Sequence, residues 1–181
     1  MKWRGRHYYR WRVPAAFAVG LATLALARPT RLSLVLGVAC MVPGEALRLW
    51  AAGHIDKTRC LATSGPYRHS RNPLYLGSVL ICLGVAVAAA QPVALLAIAA
   101  YLLAFFPYVI RSERCFLRER FGSQYEAWAS RVPEFVPRLT PAGPPGERFA
   151  WRRVSLNREW KALLAPPVAL ALLYARSLLL P

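Results

Sequence analysis

Between Arg71 and Arg111 the chain carries no charged residue over 39 consecutive positions, and this gap constrains the possible folds more than any other feature. A soluble helical pair would need polar faces toward water, and neither half of the gap has one. A helix crosses a bilayer with about 20 apolar residues, so the gap holds two crossings. Gln91-Pro92 is the one polar, helix-breaking interruption, which predicts an antiparallel hairpin of Leu74 to Ala90 and Val93 to Ile110 joined by a tight turn.

Three further apolar runs surround the hairpin. Val13 to Ala27 follows a basic, aromatic start (Trp3, Tyr8, Tyr9, Trp11); it is short for a span, though snorkelling arginines offset that. A cleavable secretory leader is the competing reading of this run, since Ala25-Leu26-Ala27 has the small-residue form of a cleavage site. Leu32 to Trp50 carries Glu45 and Arg48 near its end, and Ala162 to Ala175 either spans or lies flat on the surface. The expected fold is therefore all-α: a polytopic transmembrane protein of about five segments, with the hairpin and a cytoplasmic helix forming a site. The 181 residues form one domain, with a core at about 45–137 and an extension at 138–181 that contains the fifth segment.

Charge placement supports this independently. Lys and Arg outnumber Asp and Glu by 24 to 8, and residues 1–12, 48–73 and 111–161 hold five, five and eleven of the 24. Cytoplasmic loops collect such residues, so alternating spans put the N-terminus and the ends of the hairpin in the cytoplasm, with a bacterial inner membrane as the expected setting. Arg28, Arg31 and Arg176 fall outside. A nucleic-acid partner would ask for basic residues along a solvated face, whereas these sit between apolar blocks. Cys40, Cys60, Cys82 and Cys115 have no metal-ligand or disulfide spacing, so no metal is expected. Residues 111–137 read as a helix entering the cytoplasm and ending before Pro133, and residues 138–150 as a loop.

Two polar stretches flank the hairpin on the same predicted side. In the first, Asn72-Pro73 reads as an N-cap and first helical residue, exposing a positive helix end beside Arg68 and Arg71 that suits a carboxylate or phosphate. Ordinary capping with positive-inside charge explains the same residues. In the second, Glu113 is an acid at the end of an apolar span; it needs a partner, for which Arg71 is the candidate, or a wet cavity where it accepts hydrogen bonds from ligand hydroxyls. His69 lies within the first motif, and His7 and His54 carry less weight. Trp50, Trp151 and Trp160 read as interfacial anchors.

Gly65-Pro66-Tyr67-Arg68, Arg71-Asn72-Pro73-Leu74-Tyr75-Leu76-Gly77, the hairpin, Glu113, Phe121-Gly122, Tyr125 and Val132-Pro133 together resemble the isoprenylcysteine carboxyl methyltransferase family and its phospholipid N-methyltransferase relatives. The resemblance implies S-adenosylmethionine bound between the hairpin ends, with Arg59, Cys60, Leu61, Ala62, Tyr67, Asn72, Pro73, Leu74, Tyr75 and Glu113 at the family's cofactor contacts. Arg71 and Glu113 would take the catalytic positions. Asn72 stands where the family usually has His, which removes an imidazole base, and Arg114 follows Glu113 where the family has a second Glu.

The activity so implied is methyl transfer to a lipid-like or prenylated carboxylate at the membrane, an in-line displacement that mainly requires alignment and exclusion of water. A carboxylate acceptor needs no general base; a phospholipid amine would, with Glu113 or Tyr75 as local candidates. The same helical pattern and basic ends are also compatible with a membrane NADPH-dependent reductase and with a non-catalytic relative that keeps the fold. No G-x-G-x-x-G turn follows a strand, so a Rossmann domain is not supported.

Overall fold

The structure is a computed structural model and describes residues 6–56, 60–143 and 145–179. Those residues form seven α-helices and one short 3₁₀ helix, Gly65–Arg68, with no strand among them. The helices are α1 Arg6–Leu26, α2 Arg31–Ala52, α3 Pro73–Ala89, α4 Pro92–Ala129, α5 Trp151–Leu156, α6 Trp160–Leu163 and α7 Ala165–Leu179. By length and composition α2 and α4 are able to cross a membrane, whereas α3 and α7 are apolar but shorter. Large apolar side chains face outward along the bundle, among them Phe17, Val35, Val42, Leu96, Leu103 and Val168. An apolar exterior on helices of this kind is the surface that lipid covers.

The anticipated hairpin forms, but α3 packs chiefly on α2 rather than on α4, and α4 packs chiefly on α1. Glycines at heptad spacing explain the preference. Gly37 and Gly44 on α2 face Gly84 and Gly77 on α3, and a Cβ on any of the four would come within 2.8 Å of the facing helix. The two backbones therefore touch along two turns, the close approach that small residues allow where no hydrophobic effect drives helices together.

The end of the bundle at the α3–α4 turn is tied by polar bonds. Thr30 and Ser33 form a reciprocal cap on α2, and Ser33 Oγ also donates to the Ala88 carbonyl at 3.1 Å. Arg176 donates to the Ala25 and Ala27 carbonyls. That is why an arginine sits away from the basic end: it satisfies the orphan carbonyls of α1.

At the opposite end two expectations are corrected. Residues 111–129 are no separate helix but the continuation of α4, which bends at Gly122 (φ 46°, ψ −123°), a backbone region open to glycine. Pro73 does occupy the first position of α3, yet the Asn72 side chain makes no capping bond; its Nδ2 donates to the Glu134 carbonyl at 2.8 Å instead. The irregular chain after α4 satisfies its backbone groups against the first motif: Arg71 N donates to Pro133 O at 2.9 Å, Arg138 N to His69 O at 3.0 Å and Ala142 N to Arg68 O at 2.9 Å. Trp128 Nε1 donates to the Tyr67 carbonyl at 3.2 Å.

The C-terminal segment folds back beneath α2. Phe149 fills the space over Gly53, where a Cβ would approach its ring to 2.2 Å, and Asn157 Nδ2 donates to the carbonyls of Ala52 and Ile55. The two short helices α5 and α6 belong to this segment and had no signature in the hydropathy pattern.

Candidate functional site

Helices α1, α2, α3 and α4, the 3₁₀ helix and the segments between them converge on one cavity of about 730 Å³ at the basic end of the bundle, within the size range of small-molecule sites. Its polar part is walled by Cys60, Leu61, Ala62, Tyr67, Arg71 and Glu113. Leu74 and Tyr75, in the first turn of α3, carry the wall onward, and Ser78, Cys82, Tyr101 and Phe106 extend it into the apolar layer. Phe116, Leu117, Phe121 and Trp128 cover one side, while Arg48 and Glu159 meet on its wall.

The sequence-derived residues divide accordingly. Cys60, Leu61, Ala62, Tyr67, Arg71, Leu74, Tyr75 and Glu113 share the cavity. Asn72 lines only a small neighbouring niche with Arg114 and Glu134. Pro73 is buried at the start of α3, off the wall. Arg59 lies outside the described residues.

Electrostatics within the site differ from the expected Arg71–Glu113 pair. Arg71 Nη1 donates to the Tyr125 hydroxyl at 3.2 Å, and its Nε is buried with no hydrogen-bond partner. The bend at Gly122 brings Tyr125 back to this position. Among the described residues no ion pair engages Glu113, and Arg114 pairs with Glu134 at 3.0 Å. A half-buried guanidinium with a buried, unused Nε donor and an exposed carboxylate with no cation partner among the described residues face one cavity; the buried donor is costly unless a ligand completes it. Tyr67 is 6% exposed. Burial first, then the Glu113 carboxylate, push its hydroxyl well above the ordinary tyrosine value, so it remains a proton donor.

His54, given little weight from sequence, organises the entry to the first motif. Its Nδ1 lies 2.9 Å from Ser64 Oγ, and its ring packs on Trp50 and Phe149. Gly65 has φ +56° and passes so close that a Cβ would sit 2.5 Å from the His54 ring. His69 likewise supports the fold, with Nδ1 2.9 Å from the Arg138 carbonyl. Of the residues that sequence reasoning missed, Arg48 carried a signal, a lone cation inside an apolar run; Glu159 carried none.

Residues 32–124 match the phospholipid methyltransferase family. The chain belongs to that family. The matched region contains α2, α3, the first motif and all of α4 up to Gly122 and beyond it by two residues, which is most of the cavity wall. Curated relatives include the cobalt-zinc-cadmium resistance protein CzcN of Cupriavidus metallidurans, 36% identical over 72% of this chain and 63% of that one. Protein-S-isoprenylcysteine O-methyltransferase B of Arabidopsis thaliana is 34% identical over 56% of this chain and 57% of its own. Protein-S-isoprenylcysteine O-methyltransferase of Schizosaccharomyces pombe is 30% identical over 52% and 40%. The chain thus spans from 40% to 63% of the length of these relatives. No solved structure matches it.

Proposed function

We propose that the chain is a multi-pass membrane enzyme that transfers a methyl group from S-adenosylmethionine to a carboxylate on a prenylated or otherwise lipid-like acceptor. The observation that carries this reading is the single cavity running from Arg71 and Glu113 at the polar end to Cys82, Tyr101 and Phe106 in the apolar layer. Polar cofactor and greasy acceptor would meet within it, and the names of the plant and yeast relatives favour an isoprenylcysteine carboxylate as the model for the acceptor.

The residues present fit the cofactor. Arg71, with a buried Nε lacking a partner, would hold a ligand carboxylate. Glu113 would accept from an ammonium or from ribose hydroxyls, and Tyr67 would donate. When bound, the cofactor supplies an electrophilic methyl carbon on a sulfonium. The protein aligns the two partners and excludes water with Phe106, Phe116, Phe121 and Trp128. A carboxylate acceptor arrives ionised, so no proton has to be removed.

A phospholipid amine is the second acceptor reading, favoured by the family match and by two carboxylates, Glu113 and Glu159, on the cavity wall. It requires one of them as a base. In the topology that accompanies either reading, the N-terminus and the cavity lie on the cytoplasmic side.

Calorimetric titration of the detergent-purified protein with S-adenosylmethionine and with NADPH tests the class. Saturable S-adenosylmethionine binding is expected, weakened in Glu113→Gln by at least the roughly 1.5–3 kcal/mol of a charge-assisted hydrogen bond. Binding of NADPH alone would replace the methyltransferase reading with a reductase. Equal S-adenosylmethionine affinity in wild type and variant would remove Glu113 from the contacts. Methyl release onto lipid carboxylates against phospholipid amines then separates the two acceptors.

A further inference from the structure

Arg48 is held in two different ways. Its Nη1 donates to the Leu74 carbonyl at 3.3 Å and to Ser78 Oγ, both on α3, so the guanidinium is fixed against that helix. Its Nη2 pairs with Glu159. The two side chains are only 17% and 10% exposed and lie on the cavity wall. Glu159 comes from the C-terminal segment, far beyond the residues that match the family.

That segment is anchored up to Asn157, whose side chain bonds the end of α2. Immediately after the anchor, Arg158 adopts φ +53°, a left-handed conformation that costs energy for a residue with a side chain. Two backbone bonds that close the end of α5, Arg158 N to Ser155 O at 2.9 Å and Glu159 N to Val154 O at 3.2 Å, hold this conformation and fix the backbone from which the Glu159 side chain reaches Arg48.

We propose that Arg48 anchors the acceptor's carboxylate and that Glu159 is a resident stand-in which the acceptor displaces. This rests on reading the cavity as the acceptor site. Arg71 serves the cofactor end, so a second carboxylate needs a second cation, and Arg48 stands beside Ser78 and Cys82, where the cavity enters the apolar layer. A head group on Nη2 would leave its chain running toward Tyr101 and Phe106. With no acceptor present, a cation this buried needs a counter-charge, and Glu159 supplies it. When the acceptor takes Nη2, only the Glu159 side chain has to swing away, since its backbone is held by the end of α5. An acceptor without a carboxylate would leave the Arg48–Glu159 pair intact, so the exchange selects for the anion.

The test is binding of myristate and of its uncharged counterpart, myristyl alcohol, to the full chain in neutral detergent without S-adenosylmethionine. Removing the competitor raises the binding-competent fraction. Glu159→Gln should therefore bind myristate about ten-fold or more tightly than wild type, with alcohol affinity unchanged. Arg48→Gln should bind both ligands alike. Unchanged or weaker myristate binding in Glu159→Gln, or an equal gain for the alcohol, overturns the proposal.

A second variant keeps the test decisive if Glu159→Gln does not fold. Glu159→Ala removes the same carboxylate and should show the same selective gain for myristate over the alcohol. No gain in Glu159→Ala overturns the proposal as well. Because no cofactor is present, failure of S-adenosylmethionine binding would end the methyltransferase reading without touching this result. A negative result here would leave methyl transfer standing with the acceptor anchored elsewhere.

Discussion

His54 shows how a single side chain converts burial into pH dependence. It is 7% exposed, and burial first, then the nearby Arg153 guanidinium, hold it below the ordinary histidine value of 6.5. The folded protein therefore keeps the ring neutral where the unfolded chain would protonate it. Stability is complete above about pH 6.5 and falls as pH drops through the lowered folded value, by at most about 1.4 kcal/mol per pH unit. Thermal melts from pH 7.5 to 5 should show this loss, and His54→Gln should flatten it. An equal slope in the variant would assign the acid sensitivity to other groups. From sequence this residue could not be told from a solvated histidine, because its burial depends on Phe149, nearly a hundred positions away. Arg71 and Glu113 were legible, since their polarity beside an apolar stretch is a local property, but their separation was not. It depends on the bend at Gly122 that delivers Tyr125 to Arg71.

At the scale of elements, hydropathy located all the long helices because each must bury or expose a continuous apolar surface whatever it packs against. It did not reveal their partners. The α2–α3 pairing is written in four glycines spaced by seven, a pattern that becomes meaningful once two helices are set face to face. Gly84→Ala puts a Cβ 2.6 Å from the Gly37 carbonyl oxygen, a backbone atom that cannot swing aside. Such overpacking typically costs about 1–3 kcal/mol, and the melting temperature in detergent should fall accordingly. Gly20→Ala on α1 meets nothing within 4 Å and should be neutral or slightly stabilising, since Ala is the better helix former by up to about 1 kcal/mol. Equal effects of the two substitutions would mean that the glycine faces do not hold α2 and α3 together. The Arg48 site would feel the same separation, because Gly77 packs against the Arg48 side chain.

For the whole molecule the decisive question is which end of the bundle faces which compartment. The bonds of Arg176 to the end of α1 account for a cation at the sparsely charged end, and the remaining described arginines gather mostly around the cavity end. One helix connects the two. From Gln91 to Cys115, 24 residues along α4, the rise is about 36 Å at 1.5 Å per residue, enough to cross a hydrocarbon core of about 30 Å. Cys115 is exposed, so it serves as a native reporter for the cavity end once Cys40, Cys60 and Cys82 are replaced by serine. In that background, a membrane-impermeant maleimide added to intact cells should label Gln91→Cys and should reach Cys115 only after permeabilisation. The reverse pattern would invert the topology, placing the cavity outside and away from a cytoplasmic pool of S-adenosylmethionine. Labelling of both thiols in sealed cells would mean that α4 does not separate two compartments, and the apolar exterior would then have to be covered by protein rather than lipid.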